Sequence, residues 1–247
     1  MLRPLRFYGS AFLPFRFPAY LPFCLAAMFS LIVFDLDGTL VDSRRDIADA
    51  ANALLVSCGA QPIAEERIGR MVGDGAATLV ARAFKASGVE RPPDALERYL
   101  AFYDRRQLNH TRPYDGIPAV LEALGRRAAL AVLTNKPIAP TRRILDGLDL
   151  ARHFPKGAVI GGDGPFPRKP DPAALRHLMA SANANAESTL MVGDSGIDWR
   201  TARAAPARAC LVRYGFGFDS IPVAELGPDD RIIDSPGELL NAIFTCT

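Results

Sequence analysis

The chain has 247 residues, is 49% hydrophobic and 23% charged, and carries a net charge of +2. That composition suits a soluble globular protein with one large domain, or one domain bearing an insertion. A charge so close to neutral gives no footing for nucleic acid or an acidic membrane surface, and four scattered cysteines without a C-x-x-C pair exclude a disulfide framework or a thiolate zinc site.

The chain begins with a stretch unlike the rest. Residues 1–28 are rich in Phe, Leu and Pro and bear Arg3, Arg6 and Arg16 with no acid, while Pro4, Pro14, Pro18 and Pro22 interrupt every apolar run. We read it as a disordered or non-native extension, with a targeting segment as the alternative. A cytoplasmic protein is the expectation from reduced-thiol cysteine usage.

From Leu31 onward, short apolar runs alternate with helical stretches. The expected strands are Leu31–Phe34, Ala129–Thr134, Ala158–Gly161, Thr189–Gly193, Ala209–Arg213 and Arg231–Asp234. Helical spacing covers Ile117–Leu124, Thr141–Leu148, Ala173–Met179 and Gly196–Ala205. The alternation predicts an α/β fold, a Rossmann-like parallel sheet with helices on both faces. One interval departs from it: residues 44–111 read as helices only, over Asp46–Ser57, Ala64–Met71, Ala76–Ser87 and Asp94–Leu108. The expected organisation is therefore a core of residues 29–43 and 112–247 with an inserted helical cap of residues 44–111. The Gly73–Gly75 turn reads as a helix–helix connection whose amides could alternatively meet a substrate carboxylate.

Ligands in open parallel sheets bind beyond the carboxyl ends of the strands. Asp35 and Asp37 follow the first strand, and residues two apart on an extended chain point the same way. Gly38 then lets the backbone approach a ligand and offer an N–H. Thr134 and Asn135 follow the second strand with a hydroxyl and an amide suited to anion oxygens, or to capping the next helix. Lys169 lies after the third strand in a chain whose only lysines are Lys85, Lys136, Lys156 and Lys169, so a compact ammonium there reads as a placed charge. Asp194 and Asp198 follow the fourth. Carboxylates gathered at one sheet edge need a cation, and an oxygen-only ligand set points to Mg²⁺. Such a site suits a substrate rich in anionic oxygen, with phosphate the natural candidate.

The segments FDLDGTLVDS, LTNK, RKPDP and VGDSGID, in this order, resemble the four motifs of the haloacid dehalogenase superfamily. Within it the chain is most similar to the phosphoglycolate phosphatase branch, on MVGDGAATLVARAF, GGDGPFPRKPDP and LTNKP. The resemblance implies a phosphatase acting on a small phosphate monoester through an aspartyl phosphate, with 2-phosphoglycolate as substrate. Another small phosphorylated acid or sugar, or a sugar phosphomutase reaction, is the alternative. It implies Asp35 as nucleophile and Asp37 as general acid and base. It places phosphate on Gly38, Thr134, Asn135 and Lys169, metal on Asp35, Asp37 and Asp194, and Asp198 behind them beside Lys169. The expected partner is a small phosphorylated substrate, with no nucleic acid or membrane, in a monomer or homodimer. Ala204-Ala205-Pro206 and Gly164 depart from the usual pattern at positions without a chemical role.

Overall fold

The computed structural model describes residues 29–244, so the reading of residues 1–28 falls outside the described residues. In chain order the elements are β1 (Leu31–Phe34), β2 (Val41–Asp42), α1 (Arg44–Ser57), α2 (Glu65–Gly69), α3 (Ala76–Ser87), α4 (Ala95–Asp104), β3 (Arg112–Pro113), α5 (Ile117–Gly125), β4 (Ala129–Leu133), α6 (Ile138–Gly147), β5 (Val159–Ile160), α7 (Ala173–Ser181), β6 (Thr189–Gly193), α8 (Gly196–Ala204), β7 (Arg208–Val212), β8 (Arg231–Ile233) and α9 (Glu238–Phe244). Six strands form one parallel sheet in the order β5-β4-β1-β6-β7-β8. The fold is α/β and Rossmann-like.

The apolar runs continue without alternation because both sheet faces are covered. Along β1, Ile32 and Phe34 enter one core with α1 and α5, while Leu31 and Val33 enter the opposite core with α7 and α8. After β1 the chain builds outward to β4 and β5, then returns to place β6 on the other side of β1. The strand order therefore reverses at β1, which opens a crevice beyond the ends of β1, β4 and β6.

Between β2 and β3 the chain is helical. Helix α1 packs on α2, α3 and α4, and these helices share the core on the Ile32–Phe34 face. The two crossings between sheet and helices are joined by an antiparallel pair, Val41 with Pro113 and Asp42 with Arg112. A two-residue ribbon containing a proline carries no periodicity, so it was not legible in the sequence. Asp46, fully buried at the start of α1, accepts from the Thr111 N–H at 2.8 Å, the Thr111 hydroxyl at 2.7 Å and the His110 N–H at 3.0 Å.

Several boundaries move for identifiable reasons. The stretch expected to run to Leu108 ends as helix at Asp104 and continues as turns. The one expected at Thr141 starts at Ile138, because Pro137 and Pro140 fit the first turn of a helix. The third sheet strand spans only Val159–Ile160, since Gly161 and Gly162 press against the backbone of residues 135–138. A Cβ on Gly162 would stand 2.3 Å from the Asn135 carbonyl oxygen, and the Gly162 N–H donates to Lys136 O at 2.8 Å.

Candidate active site

At the end of β1 the ladder continues one residue further, with the Asp35 N–H on the Val192 carbonyl at 2.9 Å. The chain then turns sharply through Gly38, whose φ is +86°. A Cβ there would lie 2.0 Å from Asp194 Oδ2, so glycine is required on both conformational and steric grounds. Gly193, at the end of β6, meets the steric part of that demand, since a Cβ there would stand 2.2 Å from Asp198 Cγ.

These close approaches bring the sequence-identified acids together. Asp35, Asp194 and Asp198 are all buried, and each offers a carboxylate oxygen within 4.8 Å of the others. Lys169, also buried, stands among them, its Nζ 2.8 Å from Asp35 Oδ1 and 2.6 Å from Asp198 Oδ1. Asp198 Oδ2 accepts from the Ser195 hydroxyl at 2.7 Å and the Ser195 N–H at 3.1 Å. Asp194 Oδ2 accepts the backbone N–H groups of Gly217 at 2.8 Å and Phe216 at 3.0 Å.

The electrostatics are strained toward needing more positive charge. Burial pushes the Asp35 carboxyl up to about 6; Lys169 opposes that shift, while Asp198 and Asp37 reinforce it. Burial, with Asp198 and Asp35 adding to it, holds Asp194 well above the ordinary carboxylate range. Burial disfavours charge on Lys169, yet Asp198 and Asp35 outweigh it and hold the ammonium charged. One lysine among three buried carboxylates leaves the cluster short of positive charge. A hard divalent cation held by oxygen ligands fits that deficit, and Asp35 and Asp194 present the donors for it.

Asp37 has separate partners. Its carboxylate accepts two bonds from Lys136 Nζ, at 2.7 and 3.0 Å, and one from the Ser43 hydroxyl at 2.5 Å. Thus the two aspartates that follow β1 carry different cations, Lys169 for Asp35 and Lys136 for Asp37. Thr134 is buried beside them, and its Oγ1 accepts the Lys136 N–H at 3.2 Å.

Asn135 stands differently from the expectation that its side chain holds a phosphate oxygen. Its Nδ2 donates to Gly73 O at 2.9 Å and Lys169 O at 3.0 Å, and its Oδ1 accepts the Lys169 N–H at 2.9 Å. Both amide hydrogens are spent on protein, so the side chain braces the lysine loop and ties it to the helical segment instead.

Over this floor lies a cavity of about 60 Å³, room for a handful of waters. Of the expected site residues, Asp35, Asp37, Thr134, Asn135 and Asp194 line it, whereas Gly38, Lys169 and Asp198 are absent from its wall. Its roof comes from the helical segment through residues such as Val72, Leu79, Tyr99 and Tyr103. Sequence reasoning missed Lys136, Tyr99, Tyr103 and the loop at Phe216. Lysine scarcity, the signal that drew attention to Lys169, applied equally to Lys136. Nothing in an amphipathic helix distinguishes Tyr99 and Tyr103 from ordinary core residues.

Residues 32–212 match the family model described as haloacid dehalogenase-like hydrolase. The chain is 45% identical over 205 residues to a phosphoglycolate phosphatase of Rhodospirillum rubrum, covering 79% of this chain and 83% of that protein. It is 37% identical over 227 residues to phosphoglycolate phosphatase 1 of Pseudomonas aeruginosa, covering 89% and 81%. Among solved structures it resembles one named a predicted phosphoglycolate phosphatase from Haemophilus somnus, with TM-score 0.79 and 30% identity, over 87% of this chain and 97% of that one.

Proposed function

The chain belongs to the haloacid dehalogenase-like hydrolases, and from that premise we propose that it is a phosphatase that hydrolyses 2-phosphoglycolate to glycolate and phosphate. The observation that carries this reading is the pairing of two aspartates on the floor of one small cavity with two different cations. Asp35 sits with Lys169 beside the Asp194 and Asp198 carboxylates, and Asp37 sits with Lys136. A cavity this small admits a compact leaving group. Its wall toward the helices is mostly apolar, which disfavours a sugar with many hydroxyls.

In this mechanism an Asp35 carboxylate oxygen attacks phosphorus as the bond to the ester oxygen breaks. Asp37 passes a proton to that departing oxygen and releases the alcohol. A water then attacks the phosphorus of the aspartyl phosphate while Asp37 takes its proton, which restores the Asp35 carboxylate and frees phosphate. Lys169 and Thr134 hold phosphate oxygens, and the Gly38 amide assists. Residues 44–111 act as a cap that excludes water from the reacting atoms.

Mg²⁺ would be held by the carboxylates of Asp35 and Asp194 and the backbone carbonyl of Asp37, with Asp198 orienting Lys169 behind them. When bound it would neutralise charge between an anionic nucleophile and an anionic substrate. The three clustered carboxylates and the raised Asp35 and Asp194 values support a divalent ion at this place.

The experiment is a kcat/KM panel over small phosphorylated acids, phosphorylated sugars and pyrophosphate, repeated after EDTA and after Mg²⁺ is restored. Phosphoglycolate should lead, and activity should follow the metal. Asp35→Asn should abolish turnover of every phosphate ester; retained turnover refutes the nucleophile assignment.

A further inference from the structure

The cavity has two ends of different chemistry. Its floor is crowded with acids, while the wall toward the helices is apolar, with Ile47, Val72, Leu79, Leu100, Pro137 and Pro140. Two polar groups interrupt that wall. One is the Lys136 ammonium, which gives two of its three donors to Asp37 and lies 4.6 Å from the centroid of the Tyr103 ring. The other is Tyr103, which lines the cavity and whose hydroxyl is buried without a hydrogen-bond partner among the described residues.

A buried phenol left unpartnered costs free energy, and so does an ammonium with a spare donor in an apolar wall. An anionic oxygen that reached both groups would remove both costs. The position suits one atom group in particular. Asp37 delivers its proton to the ester oxygen, so that oxygen must lie beside Asp37 and therefore beside Lys136. In phosphoglycolate the carboxylate is separated from the ester oxygen by a single methylene. Its reach is thus set by the same lysine that touches the proton donor.

We infer that Lys136 and the Tyr103 hydroxyl together form the receptor for the carboxylate of the leaving group. Lys136 thereby becomes the residue that selects a phosphorylated acid over a neutral ester. The inference rests on the phosphatase reading above. It assigns a second use to a residue that could otherwise serve only to hold Asp37 in place.

The test compares 2-phosphoglycolate with ethyl phosphate, which keeps the ester oxygen and the length but lacks the carboxylate. Because Lys136 touches Asp37, turnover of both substrates should fall in Lys136→Met, so the ratio of the two kcat/KM values is the readout. The ratio should drop by about 10- to 100-fold, the value of a hydrogen bond between charged groups. Tyr103→Phe, with Lys136 intact, should lower the ratio by about 2- to 10-fold. It also keeps the question decidable should Lys136→Met fail to fold by circular dichroism. If the wild type prefers phosphoglycolate and both variants keep that preference, the carboxylate receptor is wrong while the phosphatase reading stands. A wild type that hydrolyses other phosphate esters and ignores phosphoglycolate overturns the substrate reading, and the receptor with it.

Discussion

Replacing Lys169 with Met removes the ammonium and keeps most of the side-chain bulk, so its consequence is electrostatic. Nζ stands 2.6 Å from Asp198 and 2.8 Å from Asp35, and the side chain is only 3% exposed. Removing one partner of a buried ion pair costs about 3–5 kcal/mol because the other charge is left uncompensated. For a chain of this size that is roughly 6–20 °C in Tm. The loss must depend on pH. Burial already raises Asp35 from its ordinary 3.8 to about 6 against the opposing pull of Lys169. A carboxyl whose folded value lies above its unfolded value binds more protons in the native state, so stability falls as pH rises through that window. Without Lys169 the Asp35 value climbs further, and the fall extends toward neutral pH. Thermal unfolding followed by circular dichroism at pH 5 and pH 8, in metal-free buffer, should show the larger deficit at pH 8. A deficit that is equal at both values, or larger at pH 5, refutes the view that Lys169 is there to neutralise the acids.

Three further perturbations probe the same frame. Asp194→Asn removes one charge from the cluster. Burial, Asp198 and Asp35 raise the Asp194 carboxyl, so its ionisation costs stability as pH rises above the ordinary carboxylate range. The variant should therefore melt higher than wild type at pH 8 without metal, yet lack the Tm increase expected of the wild type on adding Mg²⁺; a persisting increase argues against Asp194 as a metal ligand. Gly38→Ala must place a Cβ against Asp194 Oδ2 at a φ of +86°, at about 1–2 kcal/mol for the backbone alone. Urea unfolding should show at least that loss together with a collapse of kcat, and a near-native variant would contradict the packing described. Asp46→Ala strips the acceptor from the Thr111 N–H, the Thr111 hydroxyl and the His110 N–H, for a loss of about 2–4 kcal/mol in the same assay. A loss below about 1 kcal/mol would mean that water replaces the carboxylate easily.

Much of the architecture was readable from residue order. Continuous runs such as Leu31–Phe34 and Thr189–Gly193 recur as strands with the same bounds, because a strand buried on both faces needs apolar residues on both. The helix Ala76–Ser87 also recurs unchanged, flanked by Gly75 and Gly88 with positive φ, residues that stop regular structure for backbone reasons alone. Carboxylates placed just after strand ends converge in any parallel sheet of this kind, which is why Asp35, Asp37, Asp194 and Asp198 could be grouped before any coordinates.

Which cation answers which acid was decided elsewhere. Lys136 is adjacent in sequence to Asn135, and their spacing offered no reason to prefer one over the other. Folding turns the Lys136 ammonium onto Asp37, 99 positions away, and commits the Asn135 amide to the backbone at Gly73 and Lys169. Those pairings depend on how the 134–138 and 161–169 segments press together. Gly161 and Gly162 permit that approach because they have no side chain to keep the backbones apart. Local spacing determines which way a side chain leaves its own strand. What it meets there is determined by loops that pack against one another, and only the assembled tertiary structure holds that information.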